Sequence, residues 1–216
     1  MSIGALDSKA LATVRPAREE VIVPFPAARP LLGVASEVRS TLITSSLRIV
    51  RERDLLPRYT ALLPRAHRDT ILSTIAGVWL PMEVGKAHYR AMDGLGFSLA
   101  EQVRIGTEVG ERVHGTFLGT MVKMAASAGV SPWTALGQVG KLYGRVFRGG
   151  GGPTVVKLGP KEARAELAGV PLAEVAYWRA GMRGMFQAGC ELFCRKAYVT
   201  EVAYTPTTVS VRVAWA

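Results

Sequence analysis

Residues 172–190, LAEVAYWRAGMRGMFQAGC, lie between two segments that alternate like hairpins, 154–170 and 193–216. Read as a helix, this stretch sets Val175, Trp178, Met182, Met185, Phe186 and Gly189 on one side at three- and four-residue steps. Four alternating strands need one face covered, and an apolar helix placed between them in sequence supplies the cover. Gly181, Gly184 and Gly189 each cost a helix about 1 kcal/mol relative to alanine. Close approach of another backbone, or of a ligand, is the compensation such glycines imply. The expectation is an α+β fold, a helical layer packed on a twisted antiparallel sheet, closing in a β-β-α-β-β unit over 153–216.

The rest of the chain is mainly helical. Pro16, Pro24, Pro26 and Pro30 break up residues 1–30, read as a flexible arm in which REEVIVPF adds at most one edge strand. One domain then spans 31–216, with helices dominating 31–148. Residues 31–38 read as a strand leading into a helix over 39–53, and Pro57 and Pro64 punctuate two short helical pieces after it. Val78-Trp79-Leu80-Pro81 is an extended step into a helix ending near Met92. Ser98 and Glu101 form a capping box that opens the longest helical segment, running to about Ala128. Within it Gly106, Gly110, Gly115 and Gly119 form two small-xxx-small pairs, the pattern of tightly crossed helices and the basis for expecting a homodimer. Ser131-Pro132 starts a further helix carrying Trp133, Leu136, Val139, Tyr143 and Phe147 up to the run Gly149–Gly152, read as a hinge before the sheet part.

Composition excludes several classes. At 49% hydrophobic and 20% charged residues the chain is globular, and no charge-free run reaches membrane length. There is no secretory signal pattern, and Cys190 and Cys194, four apart, make a poor disulfide framework, so a reducing cytoplasm is expected. The net charge is +10, and no acidic residue occurs between Glu111 and Glu162. Arg112, Lys123, Lys141, Arg145 and Arg148 could share a basic face for nucleic acid or an anionic surface; a solvated surface is the plainer reading.

Catalytic patterns are missing. The Gly149–Gly152 run leads into a strand, whereas a phosphate loop must deliver its N–H groups into a helix N-terminus. His67, His88 and His114 have no partner at metal spacing. His114, among Val113, Phe117, Leu118 and Met121, has the apolar setting of a haem ligand and equally of an ordinary core histidine. Cys190 and Cys194 with Glu191 would need further ligands for zinc and are read first as free thiols. The chain is therefore read as a non-catalytic module, sensing a small apolar or acyl molecule or binding a protein partner. Its pocket is assigned to Trp178, Met182, Met185 and Phe186 with Phe117 and Met121, and no cofactor is assigned. The alternatives are a haem or metal sensor and a nucleic-acid binder.

Val78-Trp79-Leu80-Pro81-Met82-Glu83, the helical middle ending in Leu142-Tyr143, the pair VVKLGPKEARAELAGVP and the closing helix and hairpin carry a resemblance. In these the chain resembles a myxobacterial paralogous family of unknown function over about residues 31–215. That family is similar to the four-vinyl-reductase domains, the TRAPP subunits and, more distantly, the haem nitric-oxide/oxygen-binding domains. The resemblance implies helices on a twisted antiparallel sheet, an apolar pocket between them and dimerisation through helices. Zinc-bearing four-vinyl-reductase domains end in a Glu-x-x-Cys step; here Glu201 is present, Tyr204 stands in the cysteine position and no thiol follows. Haem-binding relatives carry Tyr-x-Ser-x-Arg; here Thr208, Ser210 and Arg212 follow that spacing with threonine for tyrosine.

Overall fold

Two tight hairpins build most of the sheet in this computed structural model, which describes residues 19–125 and 131–216, with the backbone alone for 113–125. β5 (Gly152–Gly159) turns at Pro160-Lys161 into β6 (Glu162–Ala168). β7 (Ala197–Thr205) turns at Pro206-Thr207 into β8 (Thr208–Trp215). Two-residue loops hold the register of antiparallel pairs, and with it the face each side chain takes. β1 (Glu20–Val23) adds to β5, giving an antiparallel order β1-β5-β6-β8-β7. Residues 20–23 of the expected arm are thus an edge strand of the sheet, and residues 1–18 lie outside the described residues.

A second sheet ties the helical part to the first. β2 (Glu37–Arg39) pairs with β3 (Trp79–Pro81) on one side and β4 (Phe147–Arg148) on the other. β2 runs directly into α1 (Ser40–Glu52), and β3 into α4 (Met82–Asp93), whose N-cap is Pro81. Pro57 stands in the first turn of α2 (Leu56–Leu62) and Pro64 is the N-cap of α3 (Arg65–Ser73), places where a residue without an N–H breaks no helical bond. The capping box is formed: the Ser98 N–H donates to Glu101 Oε2 at 3.0 Å, and the Glu101 N–H to Ser98 Oγ at 3.3 Å. It opens α5 (Leu99–Ala125). The single helix expected after Ser131 is instead two, α6 (Pro132–Leu136) and α7 (Val139–Val146), divided at Gly137-Gln138. The break lets α6 pack on the closing helix while α7 packs on β5.

That closing helix, α8 (Ala176–Glu191), is the centre of the molecule, with α5 along one side and β7 and β8 along another. A Cβ on Gly106 would stand 2.6 Å from the Cα of Gly181, and one on Gly184 would stand 2.5 Å from the backbone N of Thr107. The first glycine pair is therefore used inside the chain, where α5 and α8 cross backbone against backbone. Gly115 and Gly119 lie outside the residues whose side-chain surroundings are described.

The Gly149–Gly152 run is not a hinge. Gly149, Gly150 and Gly151 all have positive φ, and the Gly151 N–H donates to Leu32 O at 2.7 Å. A Cβ on Gly150 would meet the Val34 carbonyl at 2.6 Å, so the run is a packed crossing that only glycine can make.

Candidate functional site

The first turn of α8 is fastened from three directions. Its Tyr177 N–H donates to Asp93 Oδ1 at the end of α4, at 3.1 Å. Arg179, nearly buried, donates through Nη1 to the carbonyls of Ala173 and Glu174 and through Nε to Glu201 Oε2 at 3.0 Å. The guanidinium also lies 3.6 Å from the Tyr204 ring centre. Glu201, the glutamate of the zinc-type step, is thereby committed to an ion pair. Among the described residues no group of three or more His, Cys, Asp or Glu side chains could hold a metal ion.

Beside the second half of α8 is an apolar cavity of about 70 Å³ with an open mouth. Leu136, Val139 and Tyr143 wall it on one side and Met182, Met185 and Phe186 on the other, with Leu167 of β6 and Cys190 among the remaining lining. No charged side chain lines it. The Tyr143 hydroxyl is occupied, donating to Gly150 O at 3.0 Å. Burial pushes the Cys190 thiol up to about 12, which keeps it protonated, while the Cys194 thiol donates to Cys190 O at 3.3 Å. The two cysteines are free and the first is an inert buried thiol, not a poised thiolate.

On the other side of Met182 and Met185 lies a smaller cavity, about 20 Å³, between α1, α4, α5 and α8. Ser46, Tyr89, Tyr177 and Trp178 are in its wall. Behind Ser46 is a fully buried polar chain: Ser46 Oγ is 2.6 Å from His88 Nε2, and Tyr59 Oη is 2.6 Å from His88 Nδ1. With Tyr59 donating to Nδ1, Nε2–H donates to Ser46, whose own proton goes to Ile43 O at 3.0 Å. Every group is satisfied with a neutral imidazole, and burial holds His88 down at about 3.

The expected pocket residues divide between these spaces. Met182, Met185 and Phe186 line the larger cavity, Met182 and Met185 also line the smaller one, and Trp178 lines the smaller one alone. The side chains of Phe117, Met121, His114 and Lys123 lie outside the described residues. The basic face is not one surface of free cations. Arg148 is ion-paired with Glu37 across β2 and β4 and lies 4.6 Å from the Trp79 ring centre. The Arg112 Nη1 donates to Ser45 O of α1 at 3.0 Å, whereas Lys141 and Arg145 are on exposed positions of α7. Sequence reasoning missed the opposite cavity wall, although Leu136, Val139 and Tyr143 have the three- and four-residue steps of an apolar face. It had no signal for the Ser46–His88–Tyr59 chain, whose members lie 42 and 29 residues apart.

A histidine-held haem does not fit the cavity lining the structure describes. His88 has both ring nitrogens engaged, and neither His88 nor His67 lines either cavity; the sulfur atoms of Met182, Met185 and Cys190 are the soft donors present. No helix among the described residues is long and apolar enough to cross a membrane.

No protein-family model matches the chain, and no curated protein matches it. Solved structures do match. An Fe(II) unliganded H-NOX protein of K. algicida aligns at a TM-score of 0.56 and 11% identity, over 82% of this chain and 96% of that one. A mutant of that K. algicida protein aligns at 0.59 and 10% identity, over 82% and 96%. An oxygen-binding H-NOX domain related to soluble guanylate cyclases, in its oxygen complex, aligns at 0.53 and 11% identity, over 82% and 94%. These matches lend no support to the four-vinyl-reductase, TRAPP and myxobacterial parts of the resemblance. At such identity the likeness concerns architecture alone, and the chain has a fold similar to that of the H-NOX domains.

Proposed function

We propose that this chain is a non-catalytic sensor domain whose ligand is a small apolar molecule held between α7, α8 and the sheet. The observation that carries the reading is the larger cavity, whose wall has no charged side chain and whose one hydroxyl is already bonded within the protein. Apolar walls with flexible methionines accommodate ligands by shape and area, with little hydrogen-bond selection. The H-NOX likeness supports a sensing role at the level of architecture. Native mass spectrometry of protein purified from its own host tests the reading by looking for a retained small molecule. Leu142→Trp, at the half-buried cavity wall, should abolish uptake of an apolar dye such as Nile red while leaving the thermal midpoint within a few degrees. Equal dye uptake by both proteins, with nothing retained, overturns it.

A second reading makes the ligand haem, the group that the names of the fold neighbours carry. The architecture favours it, and His114 on α5 is the candidate histidine. Bound haem would supply an iron centre for a diatomic gas. Titration with haemin gives the answer: a Soret band that is lost in His114→Ala supports this reading, and no band rejects it. The homodimer now rests on Gly115 and Gly119, since Gly106 and Gly110 are used within the chain. Light scattering at micromolar concentration tests that part.

A further inference from the structure

The three-stranded sheet has two faces of opposite character. Val38, Leu80 and Phe147 are buried on the inner one, and Phe147 lines the larger, outer cavity. Their chain neighbours Glu37, Arg39, Trp79, Pro81 and Arg148 share the outward face, because successive residues alternate and directly opposite residues point the same way. Pro81 and Arg148 are exposed there, and Glu37, Arg39 and Trp79 are half-buried.

Trp79 is the centre of this face. The guanidinium carbon of Arg39, directly opposite on β2, lies 4.7 Å from the ring centre, and that of Arg148 lies 4.6 Å from it. The two cations are not equivalent. Arg148 donates through Nε and Nη2 to the two oxygens of Glu37. The Arg39 guanidinium has the Trp79 ring as its contact, with no carboxylate and no hydrogen-bond acceptor among the described residues. An arginine held over an indole keeps its planar fork oriented, so less freedom is lost when the N–H groups meet a carboxylate.

We infer that this face is a docking surface for a protein partner, with an Asp or Glu side chain of the partner on the Arg39 fork and an apolar side chain beside it on Trp79 and Pro81. Charge complementarity sets the sign. The face carries two guanidiniums and one carboxylate, and that carboxylate is already taken by Arg148. Arginine and tryptophan are also the side chains that most often dominate protein interfaces. A nucleic acid would need a track of cations along its phosphates, whereas Arg39 is the one uncommitted cation of this face among the described residues. The inference goes beyond the sensor reading and does not depend on it.

The test uses the full chain and follows the Trp79 indole N–H resonance, identified by its loss in Trp79→Phe. The acidic peptide acetyl-Leu-Glu-Glu-Leu-amide should shift that resonance saturably, and acetyl-Leu-Gln-Gln-Leu-amide should bind about 10-fold more weakly. Arg39→Gln should cut the affinity for the acidic peptide about 10-fold, and Arg39→Lys about 3- to 5-fold, because an ammonium keeps the charge and loses the fork. Lys161→Gln removes the same charge at the β5–β6 turn and should change nothing. Thermal midpoints should stay within a few degrees, and if Arg39→Gln falls further, Arg39→Lys carries the comparison. Absence of binding, equal binding of the two peptides, full affinity in both Arg39 variants, or an equal loss in Lys161→Gln overturns the docking surface. Tighter binding of an oligothymidylate than of the acidic peptide, lost in Arg39→Gln, overturns the protein partner.

Discussion

Gly106 of α5 and Gly181 of α8 meet backbone to backbone, with no room for a Cβ on Gly106, while a Cβ on Gly181 itself would meet nothing. One crossing thus contains one glycine that is obligatory and one that is not. Gly106→Ala and Gly184→Ala should each cost about 2–3 kcal/mol or more, because the obstructing atoms are main chain. Gly181→Ala should be neutral or should stabilise by up to about 1 kcal/mol through helix propensity. Urea denaturation of the three variants checks the ordering.

Stability should fall in acid because of His88. Its folded pKa, about 3, lies below the ordinary value of 6.5, so the unfolded chain binds a proton that the folded one refuses. The stability is present above pH 6.5 and is lost as pH falls from there toward 3, at up to about 1.4 kcal/mol per pH unit. Denaturation midpoints between pH 7 and pH 4.5 should drop more steeply in the parent than in His88→Gln.

Val211→Asp should unfold the protein, because Val211 is buried in β8 between β6 and β7 and an Asp there would be unpaired. Alternation in the sequence predicts that Ser210→Asp is harmless. The structure corrects this: Ser210 is buried too and sits opposite Glu166. Like charges on directly opposite residues repel, so Ser210→Asp should cost about 1–3 kcal/mol, seen as a lower thermal midpoint.

Iodoacetamide at pH 8 should label Cys194 well before Cys190. Burial raises both thiols, but Cys194 is partly exposed whereas Cys190 is almost fully enclosed. Peptide mass spectrometry over time checks the order, and a ligand in the outer cavity should slow Cys190 further.

Local patterns alone determined much of the architecture: the α+β class, the two hairpins, the Ser98–Glu101 cap, the Pro81 helix start and the apolar α8. Each is a short-range matter of turn geometry, capping or side-chain period, which neighbouring residues decide. Tertiary structure decided the rest. It turned Gly106 and Gly110 onto α8, packed the Gly149–Gly152 run against residues 32–36 and paired Arg148 with Glu37. It also moved Trp178 from the expected cavity to a second one, and assembled Ser46, Tyr59 and His88 from three helices. A period says which residues share a face of one helix. It does not say which backbone, cavity or partner that face will meet, because those contacts join segments tens of residues apart whose distances exist only once the chain has closed on itself.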